Sequence, residues 1–209
     1  EVLREFAEEE HILIGTTAQG SSRVSAHVII NSGLGDTVFG RIGAGAIKTT
    51  GTGEAVGAFT RDGRIQEIVD CFEQAGFPCT VSDNIRQTVW NKLMINASSS
   101  VLSGILQQAQ GYVAENEAAW EICQDLIREI CEVASGEGCE FDEKEQIARI
   151  RTHLRNASGG YTSIYADLKN GRKTEVDYIS GAVVRAAARQ GKKVPLQAMM
   201  VRLVHAMER

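Results

Sequence analysis

The stretch Asn84-Ile-Arg-Gln-Thr-Val-Trp90-Asn-Lys92-Leu-Met-Ile-Asn96 decides how this chain reads. Apolar residues at Val89, Trp90, Leu93, Met94 and Ala97 recur at helical spacing, and no glycine or proline interrupts them before Gly104, so the stretch reads as helix. A spacing of four puts Lys92 and Asn96 on one helical face, and Ser100 continues that row. Flanked by Trp90, Leu93 and Met94, Lys92 is expected to be partly desolvated, and desolvation makes a lysine a readier proton donor. The plainer alternative is a snorkelling surface lysine with a capping asparagine. Far downstream stand two further polar clusters, Tyr161-Thr-Ser163 and Arg172-Lys-Thr-Glu175-Val-Asp177.

Upstream of this helix the pattern is different. Residues 2–9 read as the end of a helix, so the chain, which starts at Glu1 rather than Met, reads as truncated or cleaved. His11–Thr17, Arg23–Asn31 and Thr37–Ile42 read as strands joined by Gly/Ser turns. The glycine- and threonine-rich Gly43–Gly63 reads as a loop, Arg64–Ala75 as a helix stopped by Gly76, and Phe77–Val81 as a short strand. Ser82-Asp83 reads as a capping pair. Beyond it, helical patterns cover 84–103, 115–135, 142–155, 161–170, 174–190 and 195–207, with Pro195 in the first turn of the last. The expected fold is therefore mainly α. An α/β segment over 1–83 is followed by an all-helical domain over 84–209.

Composition narrows the function. The 209 residues are 43% apolar and 23% charged, with a net charge of −5. Nothing in that balance attracts nucleic acid or an anionic membrane, and no apolar run is long enough for a membrane span. The five cysteines form no CxxC pair. Cys71 and Cys79 stand eight apart, as do Cys123, Cys131 and Cys139, which is not zinc-ligand spacing. With no secretory leader visible they read as reduced thiols of a cytoplasmic protein. His11, His27, His153 and His205 are scattered, and no metal site is expected.

Three motifs resemble the ketopantoate reductases (2-dehydropantoate 2-reductases). Asn84–Asn96 resembles the family's central signature. Thr162-Ser163-Ile-Tyr-Ala-Asp167-Leu-Lys-Asn-Gly171-Arg172-Lys-Thr174-Glu175-Val-Asp177-Tyr-Ile-Ser-Gly181 resembles its second, and Asn31–Gly40 its glycine-rich hairpin. The resemblance runs over essentially the whole chain. It implies that 1–83 is the remnant of a Rossmann-type nucleotide-binding domain and 84–209 a substrate and catalytic domain. It also implies NADPH-dependent reduction of a 2-oxo acid, ketopantoate to pantoate in pantothenate biosynthesis. Lys92 matches the catalytic lysine. Asn96, Ser163 and Glu175 match substrate-binding positions, and Ser100 stands where the family has a second asparagine. Two further asparagines are replaced by Gly160 and Gln110, which puts recognition of ketopantoate itself in question.

The cofactor half is missing from the pattern. Gly51-Thr-Gly53-Glu-Ala-Val-Gly57 lacks a surrounding βαβ unit, and Gly33-Leu-Gly35 precedes a strand rather than a helix. No cofactor-binding residue can be named, and the chain alone is expected neither to hold NADP tightly nor to turn over. Structural alternatives exist for each residue: Thr174-Glu175 as a helix start, Ser163 as a cap, Asp167 with Arg172 as a structural ion pair. A non-catalytic helical binding or dimerisation module is the competing reading, supported by the alanine-rich Ala182–Ala188, and a homodimer is compatible with either.

Overall fold

The computed structural model describes residues 2–8, 11–33, 35–41 and 63–208, and the chain divides into two compact units, Glu1–Val89 and Trp90–Arg209. The predicted Gly43–Gly63 loop lies almost wholly outside the described residues, and Gly51–Gly57 entirely so.

The first unit is mixed α/β. A 3-10 turn at Val2–Glu5 precedes β1 (Leu13–Thr17), β2 (Gly20–Arg23), β3 (Ile29–Gly33) and β4 (Thr37–Arg41). Helix α1 (Gly63–Gln74) and β5 (Cys79–Val81) follow. β4 lies between β1, antiparallel, and β5, parallel, while β2 and β3 pair as a separate antiparallel hairpin. The single strand expected over Arg23–Asn31 is thus two strands and a turn. Its apolar residues concealed a polar turn: the Val24 amide closes onto the Val28 carbonyl at 2.9 Å, and Arg23 Nε donates to the Ser25 carbonyl at 3.1 Å.

The second unit is helical, as its periodicity predicts. It contains the end of α2 (Ile85–Ile95), a π turn at Asn96–Ser100, α3 (Val101–Leu106), α4 (Gln110–Glu115) and α5 (Glu117–Gly136). Then come α6 (Glu143–Asn156), α7 (Ser163–Lys169), a 3-10 turn at Val176–Tyr178, α8 (Ser180–Arg189) and α9 (Pro195–Met207). Polar side chains start these helices: Asn84 accepts from the Gln87 amide, Asn116 from Ala119 and Asp142 from Glu145. The cap of α2 is therefore Asn84 rather than Ser82-Asp83. The core centres on α5, whose Leu126, Ile127, Ile130 and Val133 are fully buried against residues such as Met94, Ile150, Ile164 and Val204.

Gly104 does not end the helix that began at Ile85. It is the point where α3 and α7 meet, and a Cβ there would collide with Ile164 Cγ2. The stop falls at Gln107, which adopts φ 52° and caps α3. Among the described residues no helix is long and apolar enough to cross a membrane.

Candidate functional site

Lys92 lies on α2 and is exposed, contrary to the expected partial desolvation. Its neighbours Trp90 and Met94 turn inward, the latter completely buried, and residues two apart in a helix point to opposite faces. Asn96 is half-buried, and Ser100 is buried at 9% exposure. The predicted row of three therefore runs from solvent into the core instead of along one face. The cause is the π turn, in which the Val101 amide reaches back five residues to the Asn96 carbonyl. The wider turn displaces Ser100 from its place above Asn96. Asn96-Ala-Ser-Ser-Ser favours this departure, because serine competes with the helix for backbone acceptors. Ser98 Oγ donates to the Met94 carbonyl at 2.6 Å and Ser99 Oγ to the Ile95 carbonyl at 3.1 Å.

The π turn is also where other segments attach. Thr162 Oγ1 donates to the Ser100 carbonyl at 3.3 Å, and Gln197 Nε2 of α9 donates to the Ala97 carbonyl at 3.0 Å. The first bond sets Ser163, the first residue of α7, next in sequence to the anchor. Thr162 is the cap of that helix, accepting from the Tyr165 amide at 3.2 Å, so the cap role considered for Ser163 belongs to its neighbour. The Ser163 residue is exposed.

Glu175 is exposed and starts the 3-10 turn, which packs on α8 and α9. The preceding turn is closed through the main chain: the Arg172 amide donates to the Asp167 carbonyl at 2.8 Å and Gly171 takes φ +63°. Thr174 Oγ1 accepts from the Val176 amide at 3.2 Å. Thr174 also donates through both its amide and its hydroxyl to Glu208 Oε1, each at 2.8 Å. These bonds hold the Glu208 carboxyl down at about 2, the Thr174 amide contributing most. His205 stands between Glu208 and Asp177, and Glu208 first, then Asp177, raise its pKa above 6.5. Sequence reasoning missed His205 and Glu208. They lie about thirty residues beyond the motif they hold, and the only signal was a histidine in the last turn of a helix.

Thus two groups of predicted residues are built differently. Lys92, Asn96, Ser100 and Ser163 belong to the packed α2–π turn–α3 rod and the helix docked on it. Glu175 belongs to a separate turn, joined to that rod through α8 and α9, both of which pack on it. Gln110 and Gly160 are neighbours: the Gln110 amide donates to the Gly160 carbonyl at 2.9 Å, and Gln110 Oε1 is buried without a hydrogen-bond partner.

A cavity of about 470 Å³ opens elsewhere, between α5 and α6, lined by Trp120, Arg128, Glu143 and Arg151 among others. None of the predicted site residues lines it. Among the described residues no cluster of metal-ligating side chains occurs. Gly33 ends β3 and Gly35 precedes β4, so this pair lies between strands and opens no helix onto a pyrophosphate. Cys79, Cys123 and Cys139 are buried, Cys131 partly so and Cys71 exposed. Burial pushes the Cys123 thiol up to about 12.

Comparison with known proteins matches residues 84–208 to the family described as ketopantoate reductase PanE/ApbA, C-terminal. A 2-dehydropantoate 2-reductase of Pyrococcus abyssi is 29% identical over 78% of this chain and 55% of its own length. One from Halobacterium salinarum is 26% identical over 100% of this chain and 63% of its own length. The chain thus spans less than two thirds of these relatives. A solved D-mandelate dehydrogenase with NADH and anilino(oxo)acetate superposes with a TM-score of 0.83 at 26% identity, covering 99% of this chain and 63% of that one. The chain belongs to the ketopantoate reductase family, whose helical C-terminal domain it carries.

Proposed function

We propose that this chain supplies the substrate half of a cytoplasmic oxidoreductase that uses NADPH to reduce a 2-oxo acid, with ketopantoate the leading substrate. The family match over 84–208 supports this reading, because Lys92, Asn96, Ser163 and Glu175 all fall inside it. In this reading 1–83 is the remnant of the nucleotide-binding domain and 84–209 the substrate domain. The catalytic activity belongs to the parent protein, for which a homodimer is the simplest assembly.

The nicotinamide, when bound, supplies a hydride to the carbonyl carbon. Negative charge then develops on the former carbonyl oxygen. The Lys92 ammonium is the group to stabilise that oxygen and give it a proton. The Glu175 carboxylate accepts a hydrogen bond from a substrate hydroxyl. The Ser163 hydroxyl and the Asn96 amide hold the carboxylate end. Ser100, buried in the π turn, supports this row from beneath and leaves the substrate contacts to the other residues. Loss of amides at Ser100 and Gly160, and the one-methylene displacement of the amide at Gln110, widen the range beyond ketopantoate to other branched or hydroxylated 2-oxo acids. The 2-oxo-acetate derivative in the solved mandelate dehydrogenase supports the broader substrate class.

The test extends the chain to the full length of its relatives and follows NADPH oxidation over a panel of branched, aryl and hydroxylated 2-oxo acids. Lys92→Ala is expected to lower kcat by about 10²–10⁴-fold with a smaller effect on cofactor binding. Near-normal turnover of the variant refutes the assignment, and inactivity of the extended parent on every acid favours the helical-module reading. The 209-residue chain itself is expected to show no saturable NADPH binding at micromolar concentrations by titration calorimetry.

A further inference from the structure

Two carboxylates face the same histidine. His205 Nδ1 lies 2.9 Å from Glu208 Oε2, and Nε2 lies 3.0 Å from Asp177 Oδ1. A neutral imidazole has one N–H and one lone pair, so it can donate to only one of them. Satisfying both requires the doubly protonated ring. Glu208 is an acceptor throughout, since its other oxygen takes both bonds from Thr174. The chain of contacts Asp177–His205–Glu208–Thr174 therefore grips the segment Thr174–Asp177 at both ends, and Glu175 lies between those ends.

We infer that His205 is a positioning residue: as an imidazolium it clamps the Glu175 turn to the end of α9, and it releases that turn when it loses its proton. The inference rests on the proposed substrate role of Glu175 for its effect on activity, but not for the clamp itself. Other charges around α9 do not replace it. Arg185 of α8 holds the Asp177 carbonyl at 2.9 Å, leaving the Asp177 carboxylate to His205. Glu129 of α5 caps the opposite end of α9 through the Leu196 and Gln197 amides, and α3 carries no titratable residue. On α9 itself the nearest further charge is Arg202, which is exposed.

The pH window follows from the two shifts. The raised His205 contribution is complete below pH 6.5 and disappears as pH rises through its higher folded value. The depressed Glu208 contribution is complete above pH 4.5 and disappears as pH falls toward about 2. The clamp is whole between those limits. The Asp177 arm is its weaker side, being 58% exposed and open to screening by salt.

The test uses the 209-residue chain and its parent. Ring-nitrogen NMR of the chain at pH 6 is expected to find both nitrogens of His205 protonated. The exchange protection of the Thr174 amide is expected to fall about tenfold in His205→Gln, and in the unmodified chain once the ring titrates. His205→Arg, a non-titrating double donor, is expected to keep that protection at both pH values. In the parent, His205→Gln is expected to raise KM for the 2-oxo acid about five- to tenfold with kcat within about twofold, and His205→Arg to restore it. A neutral ring at pH 6, or Thr174 protection unchanged in His205→Gln, overturns the clamp. Protection lost with KM unmoved keeps the clamp and overturns the substrate role of Glu175.

Discussion

The two units bury their apolar residues to different depths. In Trp90–Arg209, Met94, Leu126, Ile127, Ile130, Ile150 and Leu154 have no solvent exposure at all. Among the described residues of Glu1–Val89, Ile85 at 2% and Val69 at 4% are buried, while Ile29 is 71% exposed and Ile30 52%. The contrast shows where stability resides. Long amphipathic helices around α5 can shield an entire layer of side chains. Strands of four or five residues shield little on their own, and the β2–β3 hairpin presents both of its isoleucines to solvent.

Mutations should reproduce that ranking. Leu126→Ala, which empties space at the centre of the helical unit, is expected to cost about 2–5 kcal/mol. Chemical denaturation followed at Trp90 and Trp120 would measure it, and a loss under 1 kcal/mol would mean the core repacks freely. Gly104→Val should cost somewhat less, about 1–3 kcal/mol, because α7 has to move off α3. Its signature would be lost protection at Tyr165 and neighbouring α7 amides, with α5 unaffected. Ile29→Thr on the hairpin is expected to change stability by no more than about 0.5 kcal/mol. A larger loss there would show that the hairpin face is covered in solution.

Where periodicity was long, the sequence was easy to read: α5, α6 and α9 stand within two residues of their expected limits, and Asn116 and Asp142 cap as their types suggest. Short elements were harder. Helix α4 has six residues and too few turns to show a period, and the hairpin was hidden by β-branched residues on both sides of Ser25-Ala-His27. The candidate site was legible by residue type but not by depth. Sequence spacing assumed an unbroken α-helix, so it could not show that Ser100 turns into the core. Nor could it pair Asp177 with His205, since the two are 28 residues apart and meet only after α8 and α9 fold back.

The π turn at Asn96–Ser100 amounts to one residue more than an α-helix needs to cover the same rise. It therefore acts as an indexing step on a shaft: compared with an unbroken α-helix of the same residues, Lys92 is rotated against Gly104 by about 100°, the angle of a single residue. Deleting Ser99 would leave a continuous helix with nearly the same composition. It would leave Lys92 at nearly the same angle to Gly104, where α7 docks, whereas straightening the turn with all five residues kept would swing Lys92 by about a quarter-turn. The angle of Lys92 to this core thus depends on whether these five positions keep the wide turn as much as on which residues fill them.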